Sequence, residues 1–309
     1  MKLNVVGHRR WWFTLSGCLM VPAILSILFF GFNFGIDFTG GTILDLSLQQ
    51  PATVAQVRDA LKEDGLQNSV IQLTGHVENE AGTDVMIRTK NLSAGESNAV
   101  IQHIDSQLGN ADVKRVETVG AVIGSEVTQH TVLNVVLSLA ALIAYVSFRF
   151  EYRIALSAII AICHDIIMVL GVFAFFHLEV DASFLAAILT VLGYSMNESI
   201  VIFDRIRENL RTHKKTDTYE VLANDSIKQS IHRSLYTLTT VLFATGSLYF
   251  FGGDTTRNFA LVMLIGFISG AYSSICVATS LWVTWHEYSG RRNGSARIHE
   301  TEPVKTVKA

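Results

Sequence analysis

The chain has little charge and very little proline. Only 17% of its 309 residues are Asp, Glu, Lys or Arg, whereas soluble domains carry about 25% charged residues. Three prolines in the whole sequence argue against proline-rich linkers. The net charge of -3 says little by itself, because basic and acidic residues are separated by position.

Cysteine is equally scarce. The three cysteines, Cys18, Cys163 and Cys276, all lie in apolar runs. This placement suggests neither a disulfide framework nor a metal-binding cluster. No nucleophile–base pair stands out either, so we do not expect an enzyme.

Apolar sequence is what the chain has in quantity, with 50% hydrophobic residues and a mean hydropathy of +0.36. Six runs are long enough to cross a hydrocarbon core about 30 Å thick. They lie at about 11–32, 130–148, 154–176, 182–203, 232–251 and 258–285. The first run follows the basic stretch MKLNVVGHRR, as in a signal peptide, but it is longer than a signal peptide's apolar region and has no obvious cleavage site. The sequence therefore predicts an uncleaved first span and a polytopic α-helical membrane protein.

Basic residues mark one side of the membrane. They precede the first span, separate the second from the third, and follow the fourth and the sixth. These basic residues are Lys2, Arg9 and Arg10; Arg149 and Arg153; Arg205, Arg207, Arg211, Lys214 and Lys215; and Arg291, Arg292 and Arg297. The positive-inside rule then predicts a cytoplasmic N-terminus (1–10), connection (204–231) and tail (286–309), with residues 33–127 on the periplasmic side. Residues 204–231 fit two interpretations equally well. They could form a solvent-exposed helix whose Arg and Glu side chains pair with each other, or a helix that lies on the membrane surface.

Between the first and second spans the sequence is typical of a small soluble domain. Strand patterns at 42–48, 69–75, 84–90 and 111–120 alternate with amphipathic helix patterns at 53–65 and 95–109. The order β-α-β-β-α-β predicts a ferredoxin-like α+β sandwich. His76 and His103 stand alone, and Gly40-Gly41 indicates a tight turn, because no Lys-Ser/Thr helix follows it as in a phosphate loop. We therefore interpret the domain as a binding or coupling module.

Several polar residues interrupt the spans. Asn197 and Glu198 lie in the fourth span, His164 and Asp165 near the centre of the third, and Arg233 at the start of the fifth. A charged side chain at mid-membrane costs about 2.5–3.5 kcal/mol on insertion scales, so such residues usually mark an ion or proton path. The alternative for Glu198 is a protonated packing contact. For His164 and Asp165, the sequence is equally compatible with a hydrogen-bonded pair that holds helices together and with a proton relay. The alternative for Arg233 is an anchor at the membrane interface.

Glu198 and Arg233 could meet. Glu198 is about five residues from the cytoplasmic end of its span, roughly 8 Å deep at 1.5 Å per residue, and a long arginine can reach that depth. Burial disfavours the ionised carboxylate, whereas a nearby guanidinium favours it. Movement of Arg233 toward and away from Glu198 would therefore release and load a proton.

Four strings in the chain resemble the SecF family, the smaller membrane subunit of the SecD–SecF accessory complex of the bacterial Sec translocase. They are GFNFGIDFTGGT after the first span, CHD in the third, GYSMNESIVIFDRIREN in the fourth and QSIHRSLYT before the fifth. The motif residues outside the polar groups above are Gly35, Asp37, Gly40, Gly41, Gly193, Asp204, Arg205 and Arg207. The resemblance covers about residues 7–285 and implies six spans in a half bundle like that of the resistance–nodulation–division superfamily, with a ferredoxin-like domain after the first.

The resemblance also implies a function and partners. Family members use the proton-motive force, without another cofactor, to promote preprotein export. The implied partners are a SecD-like subunit, the SecYEG channel with YajC and YidC, SecA indirectly, the preprotein and membrane lipid, but not nucleic acid. In the family, the residue at the position of Glu198 is usually Asp, and the Arg at the position of Arg233 is its functional partner. Because Glu is longer than Asp, the resemblance does not fix the geometry of the contact between Glu198 and Arg233. A proton-coupled small-molecule efflux half-transporter and a structural scaffold of the translocon are the alternatives.

Overall fold

The computed structural model describes residues 4–78, 81–212 and 218–292. They form two compact units, one from the described parts of 1–33 and 135–309 and the other from the described parts of 34–134. The fold class predicted from the sequence is confirmed: a polytopic helical protein carries a ferredoxin-like α+β domain after its first long helix. Lys214, Lys215, Arg297 and the rest of the tail beyond 292 lie outside the described residues.

Long helices flank a region of shorter strands and helices in the chain. In order, the elements are a 3-10 turn (Val6–His8), α1 (Arg9–Phe30), β1 (Asn33–Phe34), α2 (Ile36–Thr39), β2 (Gly41–Thr53), α3 (Val54–Ala60), β3 (Val70–Glu78), β4 (Ala81–Thr89), α4 (Ala94–Leu108), β5 (Ala111–Val119), α5 (Ala121–Arg149), α6 (Tyr152–Phe175), β6 (Glu179–Val180), α7 (Ala182–Thr212), α8 (Tyr219–Phe251), α9 (Asp254–Tyr272), a π-helical segment (Ser273–Ala278) and α10 (Thr279–Arg292).

The domain between the first two spans is a four-stranded antiparallel sheet with two helices. Its strand order is β3-β4-β2-β5. One face carries the hydrophobic core, in which Leu44 and Leu46 of β2 meet Val57 of α3 and Val100 of α4. Both helices begin at capping boxes, Thr53 with Gln56 and Ser93 with Glu96, which satisfy backbone N–H groups at the helix start.

The first helix of this domain is shorter than the pattern at 53–65 predicts. It ends at Ala60, and the chain turns so that the Leu66 N–H donates to the Leu61 carbonyl at 3.0 Å. Both leucines are buried in the core, and Gly65 adopts a φ of +67° in the turn between them. Burial of Leu61 and Leu66 therefore outweighs continuation of the helix.

On the other face of the sheet, a polar contact ties β5 to β4 across β2. The Lys114 ammonium lies 2.8 Å from Asp84, which also accepts a hydrogen bond from Ser47 at 2.8 Å. Burial acts to raise the pKa of Asp84, but the hydrogen bonds from Lys114 and Ser47 outweigh it and hold that pKa below its ordinary value. Lys114 is therefore bound to the sheet surface.

The other unit is a helical bundle. Six helical stretches are long and apolar enough to cross a membrane, the sixth formed by α9, the π-helical segment and α10 together. At three ends the helices extend nine residues or more beyond the predicted runs: α5 begins at Ala121 rather than 130, α7 continues to Thr212 rather than 203, and α8 begins at Tyr219 rather than 232. Much of the predicted connection at 204–231 is therefore helix continuous with the spans.

Small residues bring the spans into close contact. A Cβ added at Gly171 of α6 would overlap Ala23 of α1, and one added at Gly266 of α9 would overlap the Val191 side chain of α7. A Cβ at Gly270 would lie 3.0 Å from that of Ser195. Close backbone approach of this kind is a main source of helix association in lipid. It fixes α7 against α9 along the stretch that precedes Glu198.

Candidate functional site in the helical bundle

Asp165 is the centre of a buried hydrogen-bond cluster. Its side chain is 0% exposed, and it accepts hydrogen bonds from three serine hydroxyls on two other spans. Ser195 of α7 donates to Oδ2 at 2.6 Å, Ser273 to Oδ2 at 2.8 Å, and Ser269 of α9 to Oδ1 at 2.7 Å. A buried carboxylate is stable only when its oxygens are hydrogen-bonded, so this contact holds α6, α7 and the sixth span together.

The π-helical segment helps to form this cluster. Ser273 at its start faces Asp165, while the adjacent Ser274 exchanges a 2.9 Å hydrogen bond with Ser199 and donates to the Ser195 carbonyl at 3.3 Å. The wider π turn lets two consecutive serines reach two different neighbouring helices. Such single π turns occur frequently at functional sites.

His164 extends the cluster toward the first span. Its Nδ1 lies 3.1 Å from Asp165 Oδ1, and its ring lies 6.0 Å from that of Tyr272. The Tyr272 hydroxyl in turn contacts Ser16 at 2.9 Å and the Trp12 carbonyl at 3.1 Å. The structure therefore brings together His164 and Asp165 of the predicted site.

Glu198 is buried in a different way. Its side chain is 2% exposed, yet its Oε2 has no hydrogen-bond partner among the described residues. The Tyr194 hydroxyl, one helical turn earlier, lies close enough to interact electrostatically with this carboxyl but forms no hydrogen bond within the described chain. Leaving a buried polar atom unpaired costs about 1–3 kcal/mol, so this arrangement favours a group that changes partner.

Arg233 is not that partner in this structure. It is exposed on α8, and no ion pair joins it to Glu198 in the described part of the chain. The next residue, Ser234, is buried with an unpaired hydroxyl and lines a cavity of about 220 Å³ between α8 and the sixth span. A contact between Arg233 and Glu198 would require movement of the arginine side chain or of α8.

The other predicted residues of the fourth span face outward or lie at its end. Gly193 and Asn197 are exposed, one turn apart, and a Cβ at Gly193 would meet no atom within 4 Å. Asp204 of α7 pairs with Arg149 at the end of α5 at 3.5 Å, and Arg205 pairs with Glu208 at 2.7 Å. Arg207 is half-buried. Asp204, Arg205 and Arg207 lie beyond the Asp165 cluster on α7, whereas Gly193 and Asn197 flank Ser195 on the exposed side of that helix.

The Gly-rich motif after the first span is a close-packed turn. Gly35 precedes the short helix α2, which contains Asp37, and Gly40 follows it with a φ of +70°. Gly41 has a φ of +131°, and a Cβ there would lie 2.5 Å from the Thr89 carbonyl oxygen. The geometry agrees with the tight turn expected from the sequence.

The serines around Asp165 are the residues that sequence reasoning missed. Ser195 and Ser199 are spaced i, i+4 on α7, as are Ser269 and Ser273 in the sixth span. Serine is common in apolar spans, so this spacing alone does not distinguish a polar cluster from ordinary close packing. Within the described residues, no group of three or more His, Cys, Asp and Glu side chains could hold a metal ion.

Comparison with known proteins agrees with these features. Residues 99–288 match the family described as protein export membrane protein SecD/SecF, C-terminal, and residues 25–52 match the SecD/SecF GG motif. The protein translocase subunit SecF of Acidaminococcus fermentans is 45% identical over 283 residues, covering 91% of this chain and 97% of the relative. The SecF of Haemophilus influenzae is 40% identical over 286 residues, covering 91% and 84%.

Solved structures of SecDF share the fold. The crystal structure of SecDF from Thermus thermophilus has a TM-score of 0.83 at 34% identity, and SecDF in a super-membrane-facing form has a TM-score of 0.64 at 31% identity. They cover 92% and 95% of this chain, but the chain spans only 39% and 40% of their length. The relatives that match nearly end to end are named translocase subunits, and the predicted resemblance is confirmed. The chain belongs to the SecF family of protein translocase subunits.

Proposed function

We propose that the chain is the SecF subunit of a SecDF complex that uses the proton-motive force to promote preprotein translocation across the cytoplasmic membrane. Family membership and the likeness to part of SecDF support this role. A SecD-like subunit supplies the remainder of the complex. The SecYEG channel with YajC and YidC, SecA and the preprotein are the further partners expected from the family.

Glu198 carries the proposal. It is a carboxyl group buried in a span, with one oxygen that has no hydrogen-bond partner among the described residues. Protonation removes the cost of keeping a charge there, and approach of a cation restores the charged form. A proton that crosses 100 mV supplies about 2.3 kcal/mol, enough to bias a conformational equilibrium.

Arg233 is the proposed cation. As an exposed guanidinium on α8, it can approach Glu198 when α8 moves against the sixth span, and the cavity beside Ser234 provides space for that movement. Asn197, adjacent to Glu198, lies on the exposed face of α7, where a partner subunit could complete the proton path. Proton loading at Glu198 is thereby coupled to a shift of α8.

Asp165 and His164 have a supporting role in this scheme. Both Asp165 oxygens already accept hydroxyl hydrogen bonds, so its polar atoms are paired without a mobile cation. The sequence is compatible with two roles for His164 and Asp165, a structural tie between helices and a proton relay. These contacts favour the structural tie. The tie holds Ser195, and with it the helix turn before Glu198, in a fixed position.

An export assay on reconstituted SecDF and channel, with and without a proton gradient, tests the role of Glu198. We expect Glu198→Gln and Arg233→Met each to abolish the stimulation by the gradient while the complex still assembles. Glu208→Gln is the matched control, because Glu208 is an exposed carboxylate on the same helix, paired only with Arg205 among the described residues. Stimulation at the wild-type level in both Glu198 and Arg233 variants would refute the proposal.

A further inference from the structure

Tyr194 lies one helical turn before Glu198 on α7, and its hydroxyl is buried. Neither this hydroxyl nor Glu198 Oε2 has a hydrogen-bond partner among the described residues. Residues four apart are neighbours on one face of a helix, and these two groups are close enough to interact electrostatically. Two buried polar groups therefore lie next to each other, and each lacks a partner that the other could supply.

The chemistry of the two groups is complementary. A tyrosine hydroxyl donates one hydrogen bond, and a carboxyl oxygen accepts hydrogen bonds whether the group is ionised or protonated. The Tyr194 hydroxyl can therefore donate to Glu198 in both protonation states. Because an unpaired buried polar atom is unfavourable, a rotation of the Glu198 side chain that pairs Oε2 with the hydroxyl relieves both groups.

The Tyr194 ring is held by its neighbours, so its hydroxyl has a defined position. Its centroid lies 4.6 Å from that of Phe267 in the sixth span, and Phe267 is itself buried. At the next residue of α7, Ser195 packs so closely on Gly270 that an added Cβ would lie 3.0 Å from its own. Close packing of the two helices beside the ring limits its movement.

We propose that Tyr194 is a positioning residue for Glu198: its hydroxyl donates a hydrogen bond to the carboxyl while Arg233 is away and releases it when Arg233 approaches. This role rests on the proposed function, in which Arg233 moves, and it adds the group that holds the carboxyl between two approaches of the guanidinium. Without the hydroxyl, the Glu198 side chain samples more orientations, and fewer approaches of Arg233 meet it. Tyr194 thus raises the efficiency of coupling without exchanging a proton itself.

Infrared difference spectroscopy of the complete SecDF complex tests the contact. Spectra of acidic minus alkaline samples contain the C=O stretching band of protonated Glu198, which is the band that Glu198→Gln removes. A hydrogen bond to the carbonyl oxygen lowers the frequency of this band, so Tyr194→Phe should raise it. A ring-fluorinated tyrosine in place of Tyr194 is a stronger donor and should lower it. An unchanged band with both replacements would overturn the proposal, because a ring that only packs on Phe267 does not act on the carboxyl.

Gradient-stimulated export measures the consequence for coupling. Tyr194→Phe should lower the stimulation by the proton gradient about tenfold, as for loss of one hydrogen bond to a charged group. Tyr145→Phe is the matched control, because Tyr145 is 53% exposed on α5, and it should keep the full stimulation. Full stimulation in Tyr194→Phe would overturn the positioning role even if the infrared band shifts.

The two export variants also separate this role from the proposed function. Full stimulation in Glu198→Gln would contradict proton coupling at Glu198, and the role of Tyr194 in coupling with it. If Glu198→Gln abolishes the stimulation and Tyr194→Phe does not change it, proton coupling at Glu198 stands and only the role of Tyr194 is wrong.

Discussion

Asp165 and Glu198, acidic residues in the third and fourth spans, are both buried, but their surroundings differ. Asp165 accepts hydrogen bonds from three serine hydroxyls, whereas one Glu198 oxygen has no hydrogen-bond partner in the described chain. Hydrogen bonds to a charged group contribute about 1.5–3 kcal/mol each, and an unsatisfied polar atom costs about 1–3 kcal/mol. The hydrogen bonds therefore fix the position of the Asp165 side chain, whereas Glu198 keeps an oxygen free to take a new partner. The proposed proton coupling therefore depends on Glu198 and on the approach of Arg233.

Gly41 shows how one residue determines the turn after the first span. Its φ of +131° and the nearby Thr89 carbonyl leave no room for a side chain. We expect Gly41→Ala to destabilise this domain by about 2–3 kcal/mol, through strain and steric overlap. Hydrogen exchange of the β2 and β5 amides in the full-length protein would measure the loss of protection.

Gly95 provides the control for that measurement. It lies in the first turn of α4, where a Cβ would meet no atom within 4 Å. Gly95→Ala should leave protection unchanged or raise stability by about 0.5–1 kcal/mol, as expected for glycine replaced by alanine in a helix. Equal protection in the Gly41 and Gly95 variants would show that the turn tolerates a side chain.

Among the helices, the sixth span is the element on which the buried cluster depends. Asp165→Asn keeps the size of the side chain but introduces an NH2 group that cannot accept the serine hydroxyls. Interhelical hydrogen bonds in membrane proteins average about 0.6 kcal/mol and reach about 1.7, so loss of acceptors for the serine hydroxyls should cost about 1–2 kcal/mol. Reversible unfolding of the protein in bicelles or mixed micelles would report this change.

Ser199→Ala is the comparison for the Asp165 variant. It removes the Ser199–Ser274 hydrogen bond in the same cluster without removing a contact to Asp165. The expected loss is about 0.6 kcal/mol, the average for a neutral interhelical bond. If Asp165→Asn were no less stable than wild type, the carboxylate would not be the tie between the spans.

The elements were predictable from sequence to the extent that a local pattern specifies them. Long apolar runs predict the spans, but hydropathy does not detect helix that continues into polar sequence, as in the first turns of α5 or the end of α7. Contacts of Asp165 lie 30, 104 and 108 residues away in sequence. Neither this cluster nor the π-helical segment has a local signature, because both arise from packing between distant helices. Depth and the family resemblance both predict the pair of Glu198 and Arg233, but no ion pair joins them among the described residues.

At the scale of the whole molecule, the charges at the ends of the spans predict the orientation of the chain in the membrane. Arg9 forms two hydrogen bonds with Glu287 of α10, and Arg149 pairs with Asp204 of α7. These contacts place basic residues from distant parts of the chain at one end of the bundle. By the positive-inside rule we expect that end to face the cytoplasm, which would place residues about 33–127 in the periplasm.

Labelling of single cysteines tests this orientation on a chain whose three native cysteines are replaced. Ser106→Cys places a thiol on the exposed surface of α4, and Thr212→Cys places one at the exposed end of α7. A membrane-impermeant maleimide that reaches the periplasm should label the first variant in intact cells and the second only after the inner membrane is opened. The reverse pattern would invert the topology and move Glu198 to the periplasmic half of its span. A proton entering from the periplasm would then reach Glu198 close to the surface, and little of the membrane potential would act on its binding. With Glu198 near the cytoplasmic side, the same proton crosses most of the potential before it is bound, so the labelling result also decides how much of the proton-motive force this carboxyl can use.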